Sequence, residues 1–240
     1  EVEGLTRTGQ YSDISLKVRP GDIIGLTGLL GSGRTELAMS LFGLNKPQAG
    51  KIKVNGKEIA ITSPMVATQC GIALLPEDRS KQGLFLERKI KENISSPIIH
   101  EICRNGIISH KKEDELAEKY VEQLKVRTPS IDTVVGTLSG GNQQKVIIAK
   151  WLFRDCDILL IDEPTQGIDV MVKEEIYKII RNLADEGKSM IVVSSELDEL
   201  LRICDNIIVM FDGKEVMTSS KENFNPDKIL SVSVTGRNES

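Results

Sequence analysis

The sequence predicts an α/β fold with a mixed sheet core, an antiparallel β subdomain and an inserted α-helical subdomain. An apolar run at 23–26 leads through a glycine-rich turn into a helix-like segment, and a second apolar run at 158–161 ends in two carboxylates. Continuous runs of this kind are typical of parallel strands that are covered on both faces. From 189 to 211, strand-like and helix-like segments alternate, which favours layers of helices on a sheet.

The segments on either side of the first apolar run predict antiparallel strands. Residues 11–18 (YSDISLKV) alternate between apolar and polar side chains, and the turn at 19–22 (RPGD) precedes the strand that enters the glycine-rich turn. Residues 51–61 (KIKVNGKEIAI) predict a hairpin about Asn55-Gly56, a strong short-range hairpin signal. We therefore expect a small antiparallel sheet beside the core.

The middle of the chain predicts an inserted helical subdomain. Its sequence is charged and amphipathic, and Leu116, Tyr120 and Leu124 recur every four residues, which places them on one helical face. We expect a single domain over 1–240, with the core and the β subdomain in 1–79 and 154–220, the helical subdomain in 80–153 and a polar C-terminal tail in 221–240.

The composition excludes several classes of function. The 240 residues carry a net charge of −4 with both signs interleaved, so we expect no cationic face and no nucleic-acid partner. No apolar run approaches the roughly 20 residues needed to cross a bilayer, so a membrane role must go through a partner. The four cysteines lack metal or redox spacing, which is typical of reduced thiols in a cytoplasm. Because the chain opens on Glu1, we expect it to be one part of a longer polypeptide.

The segment at 28–35 has the pattern of a phosphate-binding loop. A glycine-rich turn between a strand and a helix directs backbone N–H groups and the positive end of a helix dipole at one spot, which suits phosphates. In the usual pattern, G-x-x-x-x-G-K-[S/T], a Lys reaches the outer phosphates, but here Arg34 replaces it. A turn that only packs tightly and binds nothing is the alternative. The candidate nucleotide-binding residues are Gly28, Leu29, Leu30, Gly31, Ser32, Gly33, Arg34, Thr35 and Glu36.

Two carboxylates, Asp162 and Glu163, follow the second apolar run. Phosphoryl transfer to water has a use for each: one carboxylate orients Mg²⁺ and the other polarises the attacking water. The crevice at the carboxyl ends of parallel strands is also where open α/β sheets bind their ligands. An ordinary acidic strand end in solvent is the alternative, and the phosphate loop upstream makes it less favoured.

Residues 138–144 (LSGGNQQ) identify a family by resemblance. This turn, together with the phosphate loop and the acidic strand, is similar to the signature of ATP-binding-cassette (ABC) proteins, and the resemblance covers nearly the whole chain. It implies a P-loop NTPase (RecA-like) core that uses ATP and Mg²⁺. In that family the signature closes over ATP held by a facing cassette. A glycine-rich helix start with Ser139 as a simple N-cap is the alternative. The resemblance assigns to the partner's site Ser139, Gly140, Gly141, Asn142, Gln143 and Asp169.

The resemblance narrows to the second, C-terminal cassette of bacterial monosaccharide importers of the ribose, galactose and xylose type. The motifs that carry it are GRTE at 33–36, PEDR at 76–79, SGGNQQK at 139–145, DEPTQGIDV at 162–170 and SSEL at 194–197. It implies a facing cassette in the N-terminal half of the same chain, membrane permease subunits, and indirectly an extracellular or periplasmic sugar-binding protein. The expected location is the cytoplasmic face of the membrane.

Three positions depart from an active cassette. Arg34 replaces the loop Lys, Glu77 stands where a Gln usually senses Mg²⁺ and water, and Ser195 stands where a His usually contacts the γ-phosphate. By resemblance the catalytic candidates are Glu163, Ser195 and Glu77, and the metal candidates are Thr35, Asp162 and Glu77. We expect the chain's own site to bind nucleotide weakly and to hydrolyse it poorly, while the signature completes a competent site on the partner.

Two alternatives remain open. A cassette protein that acts in DNA repair or translation would share the loop and the signature, but usually brings coiled coils or basic surfaces. A catalytically silent cassette that only gates a partner differs from the main hypothesis in degree. No residue clearly serves to stack on adenine, and Tyr11 is a candidate that fits equally well as a strand residue.

Overall fold

The computed structural model describes residues 1–104 and 107–238 and contains two compact units. The first unit comprises Glu1–Leu74, Asp157–Pro164 and the chain from Ile180 onward. The second comprises Leu75–Cys156 and Thr165–Ile179. The helical subdomain expected at 80–153 therefore lies inside the second unit, which also takes in the segment after the acidic strand.

The described part of the chain contains twelve strands. They are β1 (Val2–Arg7), β2 (Tyr11–Leu16), β3 (Ile23–Gly28), β4 (Ala49–Val54), β5 (Lys57–Glu58), β6 (Ile72–Leu75), β7 (Cys103–Arg104), β8 (Ile107–Ile108), β9 (Ile158–Asp162), β10 (Ser189–Val193), β11 (Asn206–Phe211) and β12 (Lys214–Ser220).

Nine α-helices lie between them in the same described residues. They are α1 (Arg34–Leu41), α2 (Pro64–Gln69), α3 (Ile90–Ser95), α4 (Ile99–Ile102), α5 (His110–Gln123), α6 (Gly140–Phe153), α7 (Val170–Asp185), α8 (Leu197–Ile203) and α9 (Pro226–Thr235). A short π-helix covers Arg79–Gly83. Within the described ranges, none of the helices combines the length and the apolar character needed to cross a membrane.

A six-stranded sheet with the order β12-β11-β3-β10-β9-β6 is the core of the first unit. Strand β3 pairs in parallel with both β10 and β11, and β12 closes one edge in the antiparallel direction, which confirms the mixed sheet. All five residues of β10 are buried, as expected for a strand covered on both faces. Because β3, β9 and β10 run parallel, their carboxyl ends meet at one edge of the sheet.

The predicted antiparallel β subdomain is a four-stranded sheet with the order β2-β1-β4-β5. Its inward-facing Leu5 and Ile14 are both 0% exposed, so this sheet has an apolar face of its own. The predicted hairpin is confirmed: β4 and β5 pair in the antiparallel direction across Asn55 and Gly56, both of which have positive φ. Its second strand is shorter than the sequence indicates, since it ends at Glu58.

Helices dominate the second unit, as the charged middle segment predicts. Helix α3 packs against α5 and α6, and its Ile90 and Ile94 are 0% exposed. The side chain of Asn93, also 0% exposed, accepts a hydrogen bond from the backbone N–H of Phe85 and donates to the Phe85 and Lys89 carbonyls. This amide therefore fixes the loop before α3 without leaving a buried polar group unpaired.

The segment expected as a polar C-terminal tail is structured through Thr235. After a 3₁₀ turn at Lys221–Asn223, α9 begins behind Asn225, whose side chain caps the helix by accepting from the Lys228 N–H. Ile229 and Val232 are buried on the face that packs against β11 and β12. The polar composition of the segment did not indicate this helix, whose apolar face extends the core of the first unit.

Candidate functional site

The phosphate loop lies at the carboxyl end of β3 and leads directly into α1. Gly28, Gly31 and Gly33 all have positive φ, of 150°, 81° and 94°. A Cβ at Gly28 would lie 2.1 Å from the Met210 carbonyl oxygen, and one at Gly33 would lie 2.3 Å from the Gln10 carbonyl oxygen. Only glycine fits either position, so the loop needs its glycines for backbone packing and conformation.

The middle of the loop is open. A Cβ at Gly31 would have no atom within 4 Å, and the Leu30 side chain is 99% exposed. The Ser32 side chain is 4% exposed, and its Oγ finds no hydrogen-bond partner among the residues described. A buried hydroxyl of this kind normally has a partner. The loop therefore offers space and a spare polar group, and both suit a bound phosphate.

Arg34, which replaces the loop Lys, points into the protein. Its side chain is 7% exposed, and one guanidinium nitrogen donates to the backbone carbonyl of Ser194 at 2.8 Å. Ser194 follows the end of β10, so the guanidinium bonds to the sheet edge. Thr35 and Glu36 come next in the first turn of α1, where both side chains are partly exposed. The one positive side chain of the loop is thus engaged in holding backbone.

The two carboxylates lie at the end of β9, beside the end of β10. The register pairs Val193 with Asp162, so Glu163 comes next to Ser195. Glu163 has a φ of 48°, and its N–H donates to the Val193 carbonyl at 2.8 Å. Its carboxylate accepts twice from Ser195, from the backbone N–H at 2.8 Å and from Oγ at 3.2 Å. Of the three catalytic candidates, the fold brings these two into direct contact.

The donor set of the first unit fits ATP and Mg²⁺ in part. Thr35 and Asp162 supply the hard oxygen ligands that Mg²⁺ prefers, and Asp162 is 4% exposed. No cluster of three or more His, Cys, Asp or Glu suited to a metal occurs in the described residues. Mg²⁺ bound with a nucleotide needs only one or two protein ligands, because phosphates and waters complete its shell. Hydrogen-bond donors for a phosphate are present in the loop, and the one cation of the loop, Arg34, is buried and bonded to the Ser194 carbonyl.

Glu77, the third catalytic candidate, belongs to the second unit. It is exposed, and its carboxylate accepts a hydrogen bond from the side-chain amide of Gln166 at 3.1 Å. The guanidinium of Arg79 donates to the Gln166 backbone carbonyl at 2.9 Å. Burial lowers the pKa of the Arg79 guanidinium. Glu77 is therefore tied to the chain that follows the acidic strand.

The signature turn opens helix α6. Ser139 occupies the N-cap position and is exposed, but within the described structure its side chain makes no capping hydrogen bond. The Asn142 amide instead donates to Ser139 Oγ at 3.0 Å. Ser139 therefore holds the N-cap position without the side-chain hydrogen bond that a simple N-cap would make to the first N–H groups of α6. A Cβ at Gly141 would lie 2.3 Å from a Val172 methyl group, which explains the second glycine.

More than half of the chain matches a known family. A family model described as "ABC transporter" matches residues 11–166 of the chain. This chain belongs to the ABC transporter family, as an ATP-binding cassette. A named ribose/galactose/methyl galactoside import ATP-binding protein from Agrobacterium fabrum is 48% identical over 92% of the chain. A ribose import ATP-binding protein from Rhizobium etli is 41% identical over 96% of it. The chain covers 45% of each, and so spans about half the length of these relatives.

Solved cassettes confirm the P-loop NTPase fold. An ATP-binding cassette of an ABC transporter superposes with a TM-score of 0.80 at 24% identity, covering 99% of this chain and 95% of that one. A nucleotide-free cassette from an ABC transporter gives a TM-score of 0.77 at 25% identity, with 91% and 90% coverage. At 24% identity, the likeness to the first of these structures concerns the fold alone.

Tyr11 does not serve the cassette as a platform for adenine. Its ring lies in β2 and is 2% exposed, so neither face is open to a base. Burial raises the pKa of its phenol, as expected for a hydroxyl in the core. The candidate is wrong because the alternation of β2 turns this residue inward.

Sequence reasoning missed a set of polar residues behind the signature turn of the cassette. Glu175, on α7, pairs with Lys145 Nζ at 2.7 Å and with the Arg127 guanidinium at 2.7 Å. The Lys145 side chain is only 3% exposed. The hydrogen bond from Lys145 to the Glu175 carboxylate holds the pKa of Glu175 below its usual range. The one signal in the sequence was Lys145, a charged residue on an otherwise apolar face of a helix. No feature of the sequence pointed to the residues that it contacts.

Proposed function

We propose that this cassette is the energy-coupling domain of a monosaccharide importer, with a weak nucleotide site of its own and a signature that completes the ATP site of a facing cassette. The observation that carries the proposal is the inward Arg34 guanidinium, 7% exposed and bonded to the Ser194 carbonyl. A buried guanidinium held in this way is larger and less mobile than the compact ammonium of a lysine, so it is less suited to follow an outer phosphate. The loop thus keeps its shape but has a buried guanidinium in place of the compact ammonium of the usual pattern.

Sugar import is proposed on the names of the relatives. Proteins at 41–48% identity are named for import of ribose, or of ribose, galactose and methyl galactoside. Because the chain spans about half of each, the facing cassette is proposed to be the other half of the same polypeptide. The further proposed partners are permease subunits and a sugar-binding protein. The proposed location is the cytoplasmic face of the membrane. Residues 77–85 are the proposed permease contact zone, and Phe85 in that segment is 58% exposed.

The chain's own residues account for weak hydrolysis. Thr35 and Asp162 would hold Mg²⁺, which when bound neutralises charge on the phosphate oxygens. Glu163 would accept a proton from the attacking water. Both of its carboxylate oxygens accept hydrogen bonds from Ser195, so this contact must loosen before the carboxylate can turn to a water. Glu77 remains a candidate for Mg²⁺, although it lacks the N–H donors of an amide.

The signature is proposed to act on the partner's nucleotide. An exposed hydroxyl at Ser139, the glycines at 140 and 141, and the uncapped N-terminus of a 14-residue helix make an anion site. Asn142, Gln143 and Asp169 are proposed to support it. Val170 and Met171 follow Asp169 and are 75% and 82% exposed. Exposed apolar side chains of this size are expected to be covered by a partner surface.

Two measurements test the proposal. In the two-cassette protein with its permease, Ser139→Arg should abolish transport-coupled ATP hydrolysis, because the bulky cation fills the phosphate position. Ser231→Arg, the same change on an exposed face of α9, is the matched control and should leave hydrolysis intact. The isolated cassette should show little ATPase activity. Robust turnover by the isolated cassette, or indifference to Ser139→Arg, would contradict the proposal.

A silent regulatory cassette is the second candidate, favoured by the Ser195 bonds to Glu163. Single-turnover measurements with Mg-ATP separate the two. Slow formation of ADP supports a weak hydrolase, whereas tight ATP binding without product supports the silent cassette.

A further inference from the structure

The direction of one proton decides what the signature hydroxyl can bind. A serine hydroxyl carries one proton and two acceptor lone pairs. The Asn142 side-chain nitrogen donates to Ser139 Oγ at 3.0 Å and so occupies one of the lone pairs. The proton of Ser139 is then left for an acceptor outside the turn. A phosphate oxygen is such an acceptor, so the turn is arranged for an anion and not for a cation.

A second hydrogen bond fixes which way the Asn142 amide is turned. The backbone N–H of Arg127 donates to Asn142 Oδ1 at 2.8 Å. A backbone N–H can only donate, so the amide oxygen must face Arg127. The amide nitrogen must therefore face Ser139, which removes the ambiguity that side-chain amides usually carry.

The loop that presents the Arg127 N–H is itself held by the polar residues behind the turn. Lys145, on the signature helix, donates to the Lys125 carbonyl at 3.1 Å and to Glu175 at 2.7 Å. The second oxygen of Glu175 accepts from the Arg127 guanidinium at 2.7 Å. Lys125 has a φ of 51°, so the loop turns sharply at the residue whose carbonyl accepts the hydrogen bond from Lys145. One carboxylate thus ties the signature helix to the loop.

From these contacts we infer that Asn142 is a positioning residue: it holds Ser139 Oγ as an acceptor on the protein side, so that the hydroxyl donates its proton to the γ-phosphate of the partner's ATP. Glu175 acts one step further back, by keeping Arg127 in register with Asn142. This inference rests on the proposed function of the signature turn, and adds which residues give that turn its polarity.

A double-mutant cycle tests the inference in the two-cassette importer with its permease. Asn142→Asp keeps the oxygen for Arg127 but replaces the donor with an acceptor, which would draw the Ser139 proton back to the protein. We expect kcat for ATP hydrolysis to fall about 10- to 100-fold, the range for a lost hydrogen bond to a charged group. The KM for ATP should change less than about threefold, since ATP is held on the partner's loop.

The cycle is completed by Ser139→Ala and by the double variant. If Asn142 acts through the Ser139 hydroxyl, then Asn142→Asp should cause no further loss once that hydroxyl is gone. A new negative charge or a damaged helix would lower kcat equally in both backgrounds. Asn182→Asp, the same amide-to-acid change at an exposed position on a different helix, α7, is the matched control. Equal thermal midpoints for all variants would confirm that they fold.

Each outcome decides something. A loss with Asn142→Asp that vanishes in the Ser139→Ala background supports the inference. The positioning role is overturned if Ser139→Ala lowers kcat but Asn142→Asp does not. It is also overturned if Asn142→Asp lowers kcat equally with and without the Ser139 hydroxyl. In both cases the proposed function stands. If Ser139→Ala hydrolyses ATP normally, the proposed function fails and the inference falls with it.

Discussion

Replacing Arg34 by Met separates a structural guanidinium from a phosphate ligand. Methionine keeps the apolar stem in the buried site and removes the hydrogen bond to the Ser194 carbonyl, which measures 2.8 Å. A hydrogen bond from a charged donor contributes about 1.5–3 kcal/mol, so we expect the free energy of unfolding to fall by that amount. At about 2–4 °C per kcal/mol for a chain of this size, a loss near 2 kcal/mol lowers the thermal midpoint by about 4–8 °C.

The same variant should leave ATP binding almost unchanged. We expect less than about a threefold change in the dissociation constant, because the guanidinium is buried and bonds to the Ser194 carbonyl. A phosphate ligand of the same strength would give a change of at least about tenfold. Urea unfolding measures the first quantity and titration with a fluorescent ATP analogue the second. Arg19→Met, at an exposed position, is the control for both.

One pattern of results would contradict a structural role for Arg34. If Arg34→Met weakens ATP binding tenfold or more while the unfolding free energy matches that of Arg19→Met, the guanidinium serves the phosphate and not the sheet edge. The loop would then be a working variant of the usual pattern.

Three further changes have expected outcomes. Gly141→Ala should lower the unfolding free energy by about 1–3 kcal/mol in urea titrations, because its Cβ would lie 2.3 Å from a Val172 methyl group. Glu175→Gln should be less stable than wild type at neutral pH, and the gap should close as the pH falls below about 4.3, because a carboxyl with a lowered pKa stabilises the fold only while it is ionised. Ser195→Ala removes one donor to the Glu163 carboxylate and should raise the single-turnover rate of the isolated cassette, whereas an unchanged or lower rate would show that this bond does not restrain the base.

Much of the fold follows from patterns that act locally. The apolar runs predict β3, β9 and β10 because strands buried on both faces need no alternation. The glycines of the loop follow from backbone conformation, as at Gly28 and Gly33, where a side chain would strike a carbonyl. Helix α9 was missed, although Asn225-Pro226 is a recognisable helix start and Ile229 and Val232 mark an apolar face.

The contacts that decide the chemistry join distant parts of the chain. The Arg34 guanidinium meets a carbonyl 160 residues further on, and that meeting depends on the register of the sheet. The contact between Glu163 and Ser195 likewise depends on β9 and β10 pairing in parallel at one register. Glu175 carried no signal of its own, because a glutamate on an amphipathic helix is usually a solvated charge. Sequence therefore offered candidate residues for the site, but not which of them contact one another.

Photocleavage in the presence of vanadate shows which cassette holds the phosphate that is cleaved. Vanadate trapped with ADP stands in for the leaving phosphate, and ultraviolet light cuts the backbone beside it, so fragment masses reveal which segments surround that phosphate. In the two-cassette importer with its permease, we predict cleavage of this cassette within 138–142 and none within 28–35. Cleavage confined to 28–35, with 138–142 intact, would show that this cassette hydrolyses ATP in its own phosphate loop. That result would contradict the proposal that its signature serves the ATP of the facing cassette.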